Sequence, residues 1–393
     1  MRILILEDES QMGGVQHSTL NFLAGLPSKA DVEALLLLPE AGPFSEACEV
    51  AGIPFQYYPK ITLHPSSISF AQDRFRLPNL WGLIKNLLRS KSQAKALLPI
   101  IKTYKPDVVL TKGMGAHING GKACQQLDIP CVWHQQDFIS ERYGGAYRYL
   151  FGWLARRYAH YLIADGNPIR DQLPRDMQKR CAVIFNGVPL DSFYQPTQKQ
   201  SARTVLGIPE QAYVVGHLAR LTPWKGQHLL IQAFAEYAKS NLNAHLLLIG
   251  SPLFEGEDYL PYLQQLIEKL GIAERVHLPG YRTDLGFVLS GIDTFIYPSV
   301  EKDTSPLALI SAMAAGLPVG VSDISGLREM VEGCAGAHLF KNRDIPAIKS
   351  VMTHFEDPRL RQQAGRANRE WSQDHFSQEA YTQQLLTTLR SNL

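Results

Sequence analysis

The chain has 393 residues, 45% hydrophobic and 19% charged, and reads as a soluble globular protein with material for two domains. No run of about 18 apolar residues is present, so no membrane span is expected, and a formal net charge of only +2 gives no reason to expect a nucleic-acid partner. The five cysteines (Cys48, Cys124, Cys131, Cys181, Cys334) are scattered and never form C-x-x-C, which argues against a zinc site or disulfide framework and fits a reducing cytoplasm.

The opening apolar run, Arg2 to Leu6, is too short for a signal peptide and reads as a buried parallel strand. Gly13-Gly14 and a helical pattern from Val15 to Leu26 follow. Strand, glycine turn and helix open a dinucleotide-type α/β domain, and Gly14 would let the backbone approach a diphosphate; a plain tight turn explains it equally. Val32–Leu38 and Pro54–Tyr58 continue the strands, with a helix over 42–52. Residues 59–78, with His64-Pro65-Ser66-Ser67, read as an irregular loop and a place for acceptor contacts.

Residues 74–106 hold eight Lys/Arg and no Asp or Glu. Leu80, Trp81, Leu83, Ile84, Leu87 and Leu88 form an apolar stripe among Lys85, Arg89, Lys91 and Lys95. A core-packed helix with a solvated outer face explains this, and so does a face over 74–105 that docks on anionic lipid at the inner side of the plasma membrane. The charge is uneven beyond this segment: residues 1–190 hold 21 basic against 16 acidic side chains, and 191–393 hold 18 against 21. Two surfaces with different partners are expected.

Asp107–Leu110 is a strand leading to Lys112 and His117, placed at a carboxyl end where open α/β sheets bind ligands, here on the acceptor side. Pro130–Trp133 is the next strand, ending in His134-Gln135-Gln136-Asp137. His134 fits a capping or core histidine as well as a ligand-facing one. A helix over 144–157 and strands at Tyr161–Ala164 and Cys181–Phe185 complete a first sheet. Asn186-Gly187-Val188-Pro189 and the polar stretch 195–201 suit a boundary.

The second half repeats the alternation. Tyr213–His217 leads into Leu218-Ala219-Arg220-Leu221-Thr222-Pro223-Trp224-Lys225-Gly226. Ala244–Ile249 ends at Gly250-Ser251-Pro252, a helix covers 256–270, and Val276–Leu278 runs into Gly280-Tyr281-Arg282. Thr294–Tyr297 precedes Pro298-Ser299-Val300-Glu301-Lys302-Asp303-Thr304-Ser305-Pro306-Leu307. Ser305 and Pro306 read as the N-cap and first residue of a helix carrying Leu309, Ile310, Ser311 and Met313, ended by Gly316. A helix N-terminus at a strand's carboxyl end favours an anion.

Tyr297 to Val321 resembles the donor-site motif of retaining GT-B glycosyltransferases of family 4 (glycosyl transferases group 1), P-S-x-x-E-G-x-x-x-x-x-x-E-A-M-A-x-G-x-P-V. Asp303 falls where the first Glu stands, and Ser311 replaces the second, which in the family holds the nucleotide ribose. Arg220 to Gly226 resembles G-R-L-x-x-x-K-G, Asn186 to Asp191 the N-G-V-D segment, and Ser322 to Val331 the T-x-x-G-G-x-x-E segment, where Glu329 is expected to tie the helix start. The resemblance implies two Rossmann-like parallel-sheet domains facing a central cleft: 1–186 on the acceptor side, 187–375 binding the nucleotide-sugar, and a helix over 376–393 crossing back. Hexosyl transfer to a glycan or lipid-linked acceptor with retention is implied, in cell-surface polysaccharide or glycolipid synthesis.

By that resemblance His134 faces the donor sugar's hydroxyls, Asp303 and the segment Thr304, Ser305, Pro306 and Leu307 meet the donor, Gly250 belongs to a donor-side glycine loop, and Tyr281 and Arg282 sit in the base-pocket turn, where either stacks on the nucleobase or lies at the surface. Arg220 supplies a planar fork and Lys225 a mobile charge where the diphosphate gains charge as the glycosidic bond breaks. No D-x-D occurs, so these cations are expected to act without a metal or other cofactor. An inverting enzyme using His134 or Asp137 as base, a non-catalytic sugar-nucleotide binder and an epimerase remain alternatives.

Overall fold

The apolar runs of the first half lie side by side as strands. The computed structural model describes residues 1–27, 31–60, 67–70, 75–78, 80–141, 145–252 and 258–393. Strands Arg2–Glu7 (β1), Glu33–Leu38 (β2), Phe55–Tyr57 (β3), Val108–Lys112 (β6), Cys131–Gln135 (β7), Tyr161–Ala164 (β8) and Cys181–Val183 (β9) form one sheet of order β3-β2-β1-β6-β7-β8-β9. Every pairing in it is parallel. Ile3, Leu4, Ile5 and Val108 to Leu110 are buried along their length. Such unbroken apolar strands belong in a sheet covered on both faces by crossover helices. Strand order reverses between β1 and β6, so their carboxyl ends flank the crevice where α/β sheets hold ligands.

Residues 59–78 are less irregular than expected, since Ser67–Phe70 (β4) and Phe75–Pro78 (β5) pair as an antiparallel ribbon. His64, Pro65 and Ser66 lie outside the described residues, as do Gly144, Gly256 and the side chains of Leu80, Leu83, Ile84, Leu87 and Leu88. The basic segment forms the helix Leu80–Tyr104. Among the described residues no helix is long and apolar enough to cross a membrane.

The second sheet joins Tyr213–Leu218 (β10), Ala244–Ile249 (β11), Val276–Gly280 (β12), Thr294–Tyr297 (β13), Val319–Ser322 (β14) and Ala337–Phe340 (β15), all parallel, in the order β12-β11-β10-β13-β14-β15. Its reversal lies between β10 and β13, and the loops bearing Arg220, Lys225 and Asp303 follow those two strands. The helices Leu307–Ala314 and Pro358–His375 pack on one another, with Asn368 donating to the Leu317 and Gly336 carbonyls. A short helix, Leu285–Ser290, has no counterpart in the sequence reading. The chain divides into two units, Met1–Ile184 with Thr382–Leu393, and Phe185–Tyr381. The last helix, Gln378–Arg390, begins in the second and ends in the first.

Candidate functional site

In the second unit the loop after β10 is stitched to the loop after β13. Val300 N–H and the Ser299 hydroxyl both donate to the Trp224 carbonyl, and Gln227 Nε2 donates to the Arg220 carbonyl. Gly226 has φ +76°, and a Cβ there would stand 2.0 Å from the Pro298 carbonyl oxygen, so only glycine permits this approach. Gly250 serves the same purpose one strand away: at φ +138°, its Cβ would stand 2.0 Å from the Ala219 carbonyl oxygen.

This stitching delivers Lys225 to the end of β13. Lys225 Nζ donates to Asp303 Oδ2 at 2.6 Å and to the Tyr297 hydroxyl at 2.5 Å, and that hydroxyl donates to Asp303 Oδ2 at 3.0 Å. The ammonium also lies 4.1 Å from the Trp224 ring centre and 5.0 Å from that of Tyr297. Burial lowers the Lys225 pKa and Asp303 opposes the shift, while the positive charge of Arg220 adds to it. Burial, then Asp303, raises the Tyr297 phenol well above its ordinary range. Arg220 itself is exposed. The result is a fixed cation backed by one carboxylate, with a second cation at the surface beside it.

Ser305 and Pro306 do not play the capping roles the sequence suggests. The helix begins at Leu307 with Pro306 as its N-cap. Ser305 adopts φ +47°, accepts from Asn186 N–H through its hydroxyl at 2.6 Å, and accepts from Asn186 Nδ2 through its carbonyl at 3.0 Å. The two segments, 119 positions apart, hold each other, and that long-range bond overrides the local capping preference. Thr304 is half-buried next to Asp303, and Ser311 is 2% exposed in the second helical turn. Tyr281 is exposed, and Arg282 forks onto Asp284 at 2.6 and 2.8 Å. Glu329 lies inside the helix Ser325–Val331, whose N-cap is Ile324.

In the first unit Gly14 opens the helix Gly14–Ala24 after the N-cap Gly13, and a Cβ on it would meet nothing within 4 Å. It supplies room rather than relief of strain. Lys112 and His117 are enclosed, at 1% exposure each. His117 bonds the Thr111 hydroxyl at 2.7 Å and stacks on Trp133, and burial pushes its pKa down to about 3. It is a core histidine. Lys112 is the register partner of both Glu7 and His134.

Two acids that the sequence reading passed over complete this cluster. Glu7 accepts from the Thr19 hydroxyl at 2.5 Å, and Asp165 bonds His134 Nε2 at 2.8 Å through one oxygen and accepts from Gln136 Nε2 at 3.0 Å through the other. Glu7 heads the acidic run Glu7-Asp8-Glu9 at the end of the apolar strand β1, and Asp165 is the carboxylate that follows the apolar strand β8; those were the available signals. Asp137, by contrast, is exposed. Burial raises the Glu7 pKa to about 7, with Lys112 opposing, and raises Asp8 to about 6.

Raised carboxyl pKa values mean the folded chain holds protons that the unfolded chain has released. Stability attributable to Glu7 is therefore present below about pH 4.5 and is lost as pH rises to about 7; the Asp8 contribution is spent by about pH 6. Glu7→Gln is expected to flatten the fall in denaturation midpoint between pH 6 and 7, and an unchanged slope would refute this assignment.

Two family models match the chain: Glycosyltransferase Family 4 over residues 12–192 and Glycosyl transferases group 1 over residues 198–371. A D-inositol 3-phosphate glycosyltransferase of Mycobacterium marinum is 31% identical over 188 residues, 47% of this chain and 38% of the relative's length. The chain thus spans well under two thirds of that relative. An Escherichia coli UDP-Gal:alpha-D-GlcNAc-diphosphoundecaprenol alpha-1,3-galactosyltransferase is 25% identical over 73% of this chain and 75% of its own. Among solved structures, Anabaena Alr3699/HepE in complex with UDP-glucose superposes with a TM-score of 0.82 at 24% identity, covering both chains fully. That likeness fixes the two-sheet GT-B fold.

Proposed function

The chain belongs to the group 1, family 4 glycosyltransferases of GT-B fold, and from that premise we propose that it transfers a hexosyl unit from a nucleotide-sugar to a glycan or lipid-linked acceptor with retention of configuration. The observation that carries this reading is the buried Lys225–Asp303–Tyr297 constellation beside Arg220. It is a preformed cationic site, matched to a diphosphate that gains charge in the transition state. Arg220, Lys225 and the amides at the start of Leu307–Ala314 hold the leaving group, and no metal is required. In a front-face reaction a phosphate oxygen takes the acceptor's proton, so positioning and electrostatics supply the rate without a protein nucleophile.

UDP-hexoses are the first donors to try, because UDP-glucose occupies the Anabaena relative and the Escherichia coli relative is named for UDP-Gal. The test is donor hydrolysis and transfer by the purified protein against UDP-, GDP- and ADP-sugars, with chelator present. The anomeric configuration of the product is read by NMR. Turnover of at least one donor with retention is expected. An inverted product would transfer the chemistry to His134, held by Asp165, or to the exposed Asp137 as base. Binding without turnover across an acceptor panel would make the chain a sugar-nucleotide sensor.

A lipid-linked acceptor brings the enzyme to a membrane surface. The helix Leu80–Tyr104 carries Lys85, Arg89, Lys91 and Lys95, and Lys85 lies 5.4 Å from the ring of the exposed Trp81. The protein is expected to sediment with anionic vesicles, and less so as salt rises. Equal sedimentation with neutral and anionic vesicles would remove this face from the reading.

A further inference from the structure

The second unit has a cleft of about 340 Å³ at the amino ends of β10 and β13, away from the loops that bear Arg220, Lys225 and Asp303. Its charged walls are Lys199 and Arg203 from the helix Lys199–Val205, Asp293 just ahead of β13, Glu356, and Arg361 in the first turn of Pro358–His375. The floor is a finished structural pair. Arg203 Nη2 donates to Asp293 Oδ2 at 2.6 Å, and Arg203 Nε donates to the Gly291 carbonyl at 3.1 Å. Val214 N–H donates to the same Asp293 oxygen at 2.7 Å. That carboxylate is balanced before Lys199 Nζ reaches its other oxygen at 2.6 Å, so Lys199 brings surplus positive charge. An ammonium has three protons to give, and this bond takes one.

Arg361 is surplus in the same sense. Its Nη1 donates to the Phe355 and Glu356 carbonyls at 2.7 and 2.6 Å, and its guanidinium carbon lies 5.2 Å from the Tyr213 ring centre. Among the described residues its Nε and Nη2 have no hydrogen-bond partner, and no carboxylate pairs with it. Glu356 turns one oxygen to the protein: Oε1 accepts from the Tyr237 hydroxyl at 2.6 Å and from Asn241 Nδ2 at 3.2 Å. Among the described residues Oε2 accepts from nothing. The cleft therefore offers two cations with donors to spare and one carboxylate oxygen that wants a donor. A ligand anionic throughout is repelled by Glu356. One that is anionic at one end and hydroxylated at the other satisfies both.

We propose that this cleft binds a small sugar phosphate or polyol phosphate, with the phosphate on Lys199 and the Nε–Nη2 edge of Arg361 and a hydroxyl donating to Glu356 Oε2. A planar guanidinium edge suits two phosphate oxygens, and the ammonium adds a point charge. The cleft is at the small end of the range for ligand pockets, which begins at about 300 Å³, so it takes one sugar-sized body. The site goes beyond the proposed function and stands whether or not the chain transfers a hexose.

Calorimetry on the full-length protein in a phosphate-free buffer tests this, with glucose 6-phosphate, inorganic phosphate and glucose as probes. Glucose 6-phosphate is expected to bind, phosphate to bind about fivefold or more weakly for want of the hydroxyl, and glucose to give no heat. Arg361→Gln and Lys199→Gln should each weaken glucose 6-phosphate by about tenfold or more. Glu356→Gln should narrow the gap between glucose 6-phosphate and phosphate, because it removes the repulsion. Arg220→Gln should leave the affinity unchanged, which separates this cleft from the diphosphate loops. No binding of either phosphate compound to the wild type overturns the proposal, and so does an affinity that Arg361→Gln and Lys199→Gln leave intact. Phosphate binding as tightly as glucose 6-phosphate overturns the assigned ligand class. The wild-type titrations decide the first and last of these, and either cationic variant decides the second if the other misfolds.

Discussion

Replacing Lys225 with methionine is expected to lower turnover by about a hundred- to a thousandfold, the usual consequence of removing one fixed charge from a site where a leaving group becomes anionic. The same change should destabilise the protein, because the Lys225–Asp303 pair is about nine-tenths buried. Removing one partner leaves a buried carboxylate without its cation, at a cost of roughly 3–5 kcal/mol. Loss of activity and loss of stability must therefore be separated. Lys225→Met combined with Asp303→Leu removes both charges from similar volumes and is expected to restore most of the melting temperature while turnover stays low. If Lys225→Met alone retains wild-type turnover and donor affinity, the diphosphate clamp is somewhere else.

Ser311→Glu is expected to tighten donor binding. A carboxylate accepts from both ribose hydroxyls where serine offers one hydroxyl; a charge-assisted bond contributes about 1.5–3 kcal/mol against about 0.5–1.5 for a neutral one. The difference corresponds to roughly five- to thirtyfold in affinity. Burial of Ser311 does not oppose this. Side chains on a helix lean toward its N-terminus, so a longer arm at 311 passes over Leu307 and Ala308, which are only half-buried, and ends where the helix dipole favours negative charge. Donor affinity measured by calorimetry that falls, in a protein of unchanged melting temperature, would show that the pocket has been rebuilt around serine.

The alternation of strand and helix was legible because covered parallel strands are apolar throughout, as Ile3–Leu6 and Leu246–Ile249 are. The cationic loop was legible too, since Pro223, Lys225 and Gly226 sit at fixed offsets before an apolar helix. What escaped notice is held together across long sequence separations. Asn186 dictates the backbone of Ser305 from 119 positions away, and Asp165 finds His134 from 31. Lys112 does lie at a strand end but on the inside, because β6 runs two residues past Leu110 and carries it into the sheet, whereas His117 falls within the following helix, Met114–Leu127, and is buried there. Periodicity reports which face of an element is apolar; it does not report which polar groups meet there.

The assignment of Thr382–Leu393 to the first unit has a consequence for biosynthesis. Leu385, Leu386 and Leu389 are buried, and that unit's packing lacks them until residues 185–381 have been translated. The earlier unit is therefore finished later, and a ribosome carrying a nascent chain of about 200 residues presents a first unit whose last segment has not yet been made. Chaperone demand should peak during synthesis of the second unit rather than the first, and the two cannot be parted into independent halves by one cut in the gene.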